Sequence, residues 1–218
     1  YLCFTVFSII ILYSCNNIKK PVLIPEYIVS IEKTTNTNAP ALQSFTHGIS
    51  GSEWLLFAGR TNKINDDGGL HDMRKNSDYS DESFPPTSFN ENIYVYDPII
   101  DAVPTSISIT KMIDIVSKEF KSYKIDTIKK YTSVFKNTNA LVRQKGDYLF
   151  VLGGYGAIDF EAPKNGYITY NHVAKIHVPS LIAFVKGDFN NVETSKLFAF
   201  GQNKSLVSTG GELFYIGD

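Results

Sequence analysis

Five polar residues supply most of the chemistry this chain's loops can offer. Arg60, Asn62, His71 and Asp72 lie in RTNKINDDGGLHDMRKNSDYSDESFPPTSFNEN (60–92), and Tyr155 opens YGAIDFEAPKNGY (155–167). A guanidinium, an amide, an imidazole, a carboxylate and a phenol together can grip a polar ligand through directional hydrogen bonds. Both stretches read as long polar loops carried on rigid strands, where binding residues concentrate. Each residue also has a structural use. Arg60 directly follows a glycine and can pair with an acid nearby. His71 has no second histidine at metal-ligand spacing, which suits an ordinary loop histidine better than a ligand. Asn65-Asp66-Asp67-Gly68 has the composition of a calcium loop without its spaced register or closing Glu, and reads as a solvated turn. Asp66, Asp67, Asp72 and Asp81 offer carboxylates for glycosidase chemistry, but sequence gives no separation between them. The expectation is a ligand site with no catalytic residue, no metal and no cofactor.

Enzyme signatures are absent: the chain has no G-x-S-x-G, no H-E-x-x-H and no phosphate-binding glycine loop. Its 21 Lys and Arg against 22 Asp and Glu create no field that would attract nucleic acid. With 43% hydrophobic residues in 218, the chain can bury a sizeable core.

The elements that would carry those loops recur. GSEWLLFAGR (51–60), KGDYLFVLGGYG (145–156) and GGELFYIGD (210–218) each run from a glycine turn through an acidic residue and an apolar stretch into another glycine. NIYVYDP (92–98) and HVAKIHVP (172–179) read as partner strands, each stopped by a proline that cannot continue a ladder. Three units are expected, over about 40–105, 136–195 and from 196 onward. ITKMIDIVSKEFKSYKIDTIKKYTSVF (109–135) has apolar residues at helical spacing and reads as one or two amphipathic helices inserted between units, padding the outside. PSLIAFVKG (179–187) reads as a short helix opened by Pro179.

The apolar run from Leu2 to Tyr13 is too short to cross a bilayer and suits a secretory signal segment. Leu12-Tyr13-Ser14-Cys15 resembles a lipobox, which makes Cys15 the lipidated residue and residues 1–15 a signal peptide. Residues 16–39 then form a tether with a first strand near Tyr27–Ile31. Cleavage before Cys15 leaves one cysteine, which excludes an intrachain disulfide. Neither a Met at position 1 nor a basic residue before the apolar run is present, and the chain stops inside what reads as a repeat unit. The reading is of a fragment.

The double glycine Gly153-Gly154 after YLFVL, Gly59 after WLLFA, Gly217 after LFYI, and NIYVYDP resemble the kelch-repeat family of β-propellers, galactose-oxidase-like domains included. FAGRTN…GLHD (57–72), FPPTSFNENIYVYDP and GDYLFVLGGYG resemble bacterial kelch-repeat lipoproteins more narrowly. The resemblance spans about residues 40–218, and Ala58-Gly59 departs from the double glycine. It implies an all-β, kelch-type propeller with about three blades in view. It also implies a lipid anchor in the bacterial cell envelope, outer membrane included, and a non-catalytic module that binds protein or carbohydrate but no nucleic acid. Its alternative is a sugar-modifying enzyme of the sialate-mutarotase-like kind acting at the propeller mouth, where the loops 60–92 and 155–167 would gather. Galactose oxidase activity is excluded, because its copper site needs a tyrosine–cysteine crosslink and Cys3 and Cys15 both lie in the leader.

Overall fold

In a computed structural model, residues 28–32, 35–61, 86–120, 123–162, 165–214 and 216 are described. Contacts divide the chain into Tyr1–Thr35 and Asn36–Asp218. In the first unit, the expected strand is not formed over residues 28–32, where Ile28, Val29 and Ile31 are exposed. The rest concerns the second unit.

That unit contains two four-stranded antiparallel sheets of the same plan. The first follows a short strand β1 (Leu42–Gln43) and comprises β2 (Thr46–Ser50), β3 (Glu53–Phe57), β5 (Asn92–Tyr96) and β6 (Thr105–Ser108), in spatial order β2-β3-β5-β6. Between β3 and β5 lies β4 (Arg60–Thr61), which pairs with β1. The second sheet comprises β7 (Leu141–Lys145), β8 (Tyr148–Leu152), β11 (His172–His177) and β12 (Phe198–Gln202), each beside its sequence neighbour. Between β8 and β11, β9 (Tyr155–Ala157) and β10 (Tyr167–Thr169) pair with each other. The expected partners are therefore found: β3 pairs with β5, Leu55 opposite Val95, and β8 pairs with β11, Val151 opposite Ala174. Among the described residues there are four antiparallel sheets, and none of them closes on itself.

Both sheets begin with a two-residue hairpin, Gly51-Ser52 in one and Gly146-Asp147 in the other. Both central strands end in two residues with positive φ: Ala58 (56°) and Gly59 (75°) after β3, Gly153 (68°) and Gly154 (90°) after β8. This left-handed turn re-aims the chain, and at Gly153 there is no room for anything but glycine, since an added Cβ would fall 2.0 Å from the Ser208 carbonyl oxygen. The N–H of Gly59 donates to Asn137 O (2.7 Å) and that of Gly154 to Ser208 O (2.8 Å). Each turn is thus tied to the segment that follows the last strand of its own sheet.

A second relay joins three left-handed turns. Asn139 N donates to Ser44 O (3.2 Å), and Gly210 N donates to Asn139 O (2.7 Å). Ser44, Asn139 and Gly210 all have positive φ, 52°, 55° and 70°. Ser44 and Asn139 each stand two residues before the first strand of a sheet. Gly210 thus takes the place in this relay that Asn139 takes toward Ser44. Residues 210–214 form no strand and are largely exposed. The second sheet also extends beyond residue 195, the expected end of the second repeat, since β12 ends at Gln202.

Helices lie between and within the sheets. After β6 come α1 (Ile109–Glu119), α2 (Ile125–Lys130) and α3 (Ser133–Lys136). Ser108 caps α1, its Oγ accepting from Lys111 N (3.1 Å). Ile109, Met112 and Val116 recur on one face of α1 and are buried. One face of these helices is buried: with Phe120, Ile128 and Phe135 they join a hydrophobic cluster that also holds Leu55, Ile93, Leu149 and Ile176. Phe135 links the sheets directly, 5.5 Å from Phe57 and 5.4 Å from Phe198 between ring centroids. The expected short helix is α4 (Val178–Val185), inserted between β11 and β12, with Pro179 in its first turn and buried residues on all sides. It packs against β2, β3 and β5 of the first sheet, and Lys186 just beyond it pairs with Glu53 at 2.9 Å.

Candidate functional site

An antiparallel meander puts the loop after its second strand at the same end as the connection entering its first. Residues 153–171 and the helices α1–α3 therefore meet at one end of the second sheet. Arg60 and Tyr155 occupy the same position in the two repeats, each directly after its left-handed pair. Arg60 pairs with Gln43 and bridges to Phe89, and Tyr155 bridges to Thr138 and pairs with Thr169.

The structure brings these two residues into one aromatic cluster. Arg60 is 2% exposed. Its Nε donates to Ser88 Oγ (2.9 Å), and its guanidinium carbon lies 5.9 Å from the Phe89 ring centroid. Phe89 stacks on Tyr167 (6.2 Å), which stacks on Tyr155 (5.8 Å). Burial pushes the Arg60 guanidinium down to about 10, against an opposing pull from Tyr167. Arg60 is therefore an anchor inside the fold, whereas half-buried Tyr155 lies at its edge. Asn62, His71 and Asp72 lie outside the described residues, as do Cys15 and the Asp66-Asp67 cluster. Among the described residues no group of three His, Cys, Asp or Glu side chains could hold a metal ion. No described helix is long and apolar enough to cross a membrane.

Phe160 packs edge-on against Phe89 (5.5 Å), and on its other side opens a cleft of about 390 Å³. That volume falls in the range of small-molecule sites. One wall comes from the helices: Ile109, Thr110 and Ile113 of α1, Lys129 and Lys130 of α2, Thr132, Ser133 and Lys136. The other is the loop Ile158-Asp159-Phe160-Glu161, and Tyr170 and His172 complete the lining. Lys136 lies 3.6 Å from Glu91 and 5.6 Å from the Phe160 ring centroid. Asp159 Oδ1 accepts from Glu161 N (2.8 Å), which turns the loop back on itself.

At the lining, Ser133 Oγ and His172 Nδ1 are 2.6 Å apart. Ser133 is buried, and its hydroxyl and the imidazole share one hydrogen between them. Tyr170 stacks on the His172 ring at 5.6 Å and Tyr131 meets it edge-on at 4.9 Å. The Tyr170 hydroxyl donates to Ala157 O and is pushed upward by burial, so it stays protonated. Burial, and secondarily the Lys130 ammonium, hold His172 below its ordinary value. The site thus presents an imidazole among cationic and anionic groups. Sequence reasoning found the loop 155–167 but none of these side chains. The one available signal was position: His172 opens the strand to which that loop returns.

No family model matches the chain, and no curated protein matches it either.

Proposed function

We propose that this protein is a lipid-anchored, kelch-type β-propeller of the bacterial cell envelope that binds a protein or carbohydrate without transforming it. The observation that carries the propeller reading is the relay Ser44–Asn139–Gly210, in which equivalent residues of successive units join through identical left-handed turns. Two sheets of one strand order, stacked around a common core, agree with it. The ligand site in this reading is the cleft behind Phe160, where the loop of the second sheet meets the inter-sheet helices. Anchoring rests on the Leu12-Tyr13-Ser14-Cys15 motif alone.

A competing reading, a sugar-modifying enzyme, draws support from the ionisable groups gathered in that cleft around a histidine with a lowered pKa. Binding to arrayed envelope glycans, with NMR of every sugar that binds, separates the two. Saturable binding with the sugar unchanged is expected, and steady conversion of a bound sugar overturns the non-catalytic reading. Cys15→Ser is expected to move the protein from the membrane fraction to the soluble fraction on cell fractionation.

A further inference from the structure

Two cations and two anions line the cleft behind Phe160 without pairing. Lys129 and Lys130 stand on the helical wall, Asp159 and Glu161 on the facing loop, and all four are exposed. Among the described residues none of the four forms an ion pair, although Lys136, on the same helical wall, pairs with Glu91. The two walls therefore present opposite charge across one space of about 390 Å³ without meeting. The Lys130 ammonium lies 5.3 Å from the Tyr131 ring centroid. On the loop, the bond from Glu161 N to Asp159 Oδ1 keeps both carboxylates on one turn. Apolar surface comes from Ile113 on the first wall and from Ile158 and Phe160 on the second.

Taking the cleft as the ligand site of the function proposed above, we propose that it binds a short peptide with both termini free. The peptide carboxylate is held by the Lys129 and Lys130 ammonium groups and its α-ammonium by Asp159 and Glu161, with an aliphatic side chain against Ile113, Ile158 and Phe160. Opposite charges that do not meet across a cleft suit a ligand that carries both signs. An anion alone would face two carboxylates, and a cation alone would face two ammonium groups. A neutral ligand would compensate neither wall. Each peptide terminus instead forms charge-assisted hydrogen bonds with the wall of opposite sign, the stronger kind of hydrogen bond. The volume suits a dipeptide.

The test is calorimetric titration of the full chain with L-alanyl-L-leucine, its N-acetyl derivative and its C-terminal amide, with NMR of His172, which lines the cleft. The free dipeptide is expected to bind about fivefold or more tightly than either blocked form, because each block removes one charged partner. Lys130→Gln is expected to weaken the free dipeptide about fivefold and to leave the amide unchanged, since the amide has no carboxylate to lose. Glu161→Gln is expected to weaken the free dipeptide and to leave the N-acetyl form unchanged. Lys118→Gln, at an exposed lysine paired with Asp114 on α1, should alter none of the three. Equal affinities for the three ligands, with His172 resonances shifting in each, overturn recognition of the two termini and leave the cleft as the ligand site. Absence of binding by all three overturns the peptide ligand alone, provided a glycan or protein that binds the chain shifts His172. If such a ligand binds and His172 does not move, the cleft itself is overturned as the site.

Discussion

The two sheets share a backbone plan and differ in what covers them. Leu55 in β3 and Phe150 in β8 sit three residues before their left-handed turns, yet Leu55 is 0% exposed and Phe150 37%. Strands of the first sheet pack against α4, whereas Phe150 lines an open groove with Leu213 and Phe214. The same pattern of apolar residues is therefore core in one repeat and surface in the other. Burial belongs to the stacking of repeats, and a repeat cannot supply it alone.

Substitutions at matched positions sharpen this comparison. Leu55→Ala is expected to cost about 2–5 kcal/mol by urea denaturation, whereas Phe150→Ala costs under about 1 kcal/mol, because only the first leaves a buried cavity. Equal costs would mean that Phe150 is also covered in solution. At the turns, Gly153→Ala is expected to destabilise by about 2 kcal/mol or more through a left-handed backbone and a clash with Ser208 O. Ala58→Gly, at the same place in the first repeat, should stay within about 1 kcal/mol, since relief of strain offsets a lost methyl contact.

Arg60 and Tyr155 form a third matched pair. Arg60→Ala removes a buried side chain that bonds Ser88 and covers Phe89, and is expected to cost about 1–3 kcal/mol. Tyr155→Phe, at the edge of the same cluster, should change stability by less than about 0.5 kcal/mol. The smallest effect is in pH. A histidine held below its ordinary value of 6.5 favours the folded state fully only above that pH, because the unfolded chain takes up the proton first. Stability should therefore fall as pH drops through and below 6.5, and His172→Gln should remove that component of the slope in denaturation measured from pH 7.5 to 5.

The sequence by itself determined the strand partners and the inserted helices. Period-two and period-3.6 apolar patterns, with glycine and proline stops, are local properties that survive in any tertiary setting. It marked the loop 155–167 for the same reason, as a long polar stretch between two strands. Only the tertiary structure decided the hydrogen bonds from Gly210 to Asn139 and from Asn139 to Ser44, which join residues far apart in the chain. Tertiary structure likewise set Arg60 inside the fold and brought Ser133 to His172 across 39 residues of chain. Those placements depend on which faces meet when the two sheets and their helices pack, and no window of the sequence contains both sides of that contact.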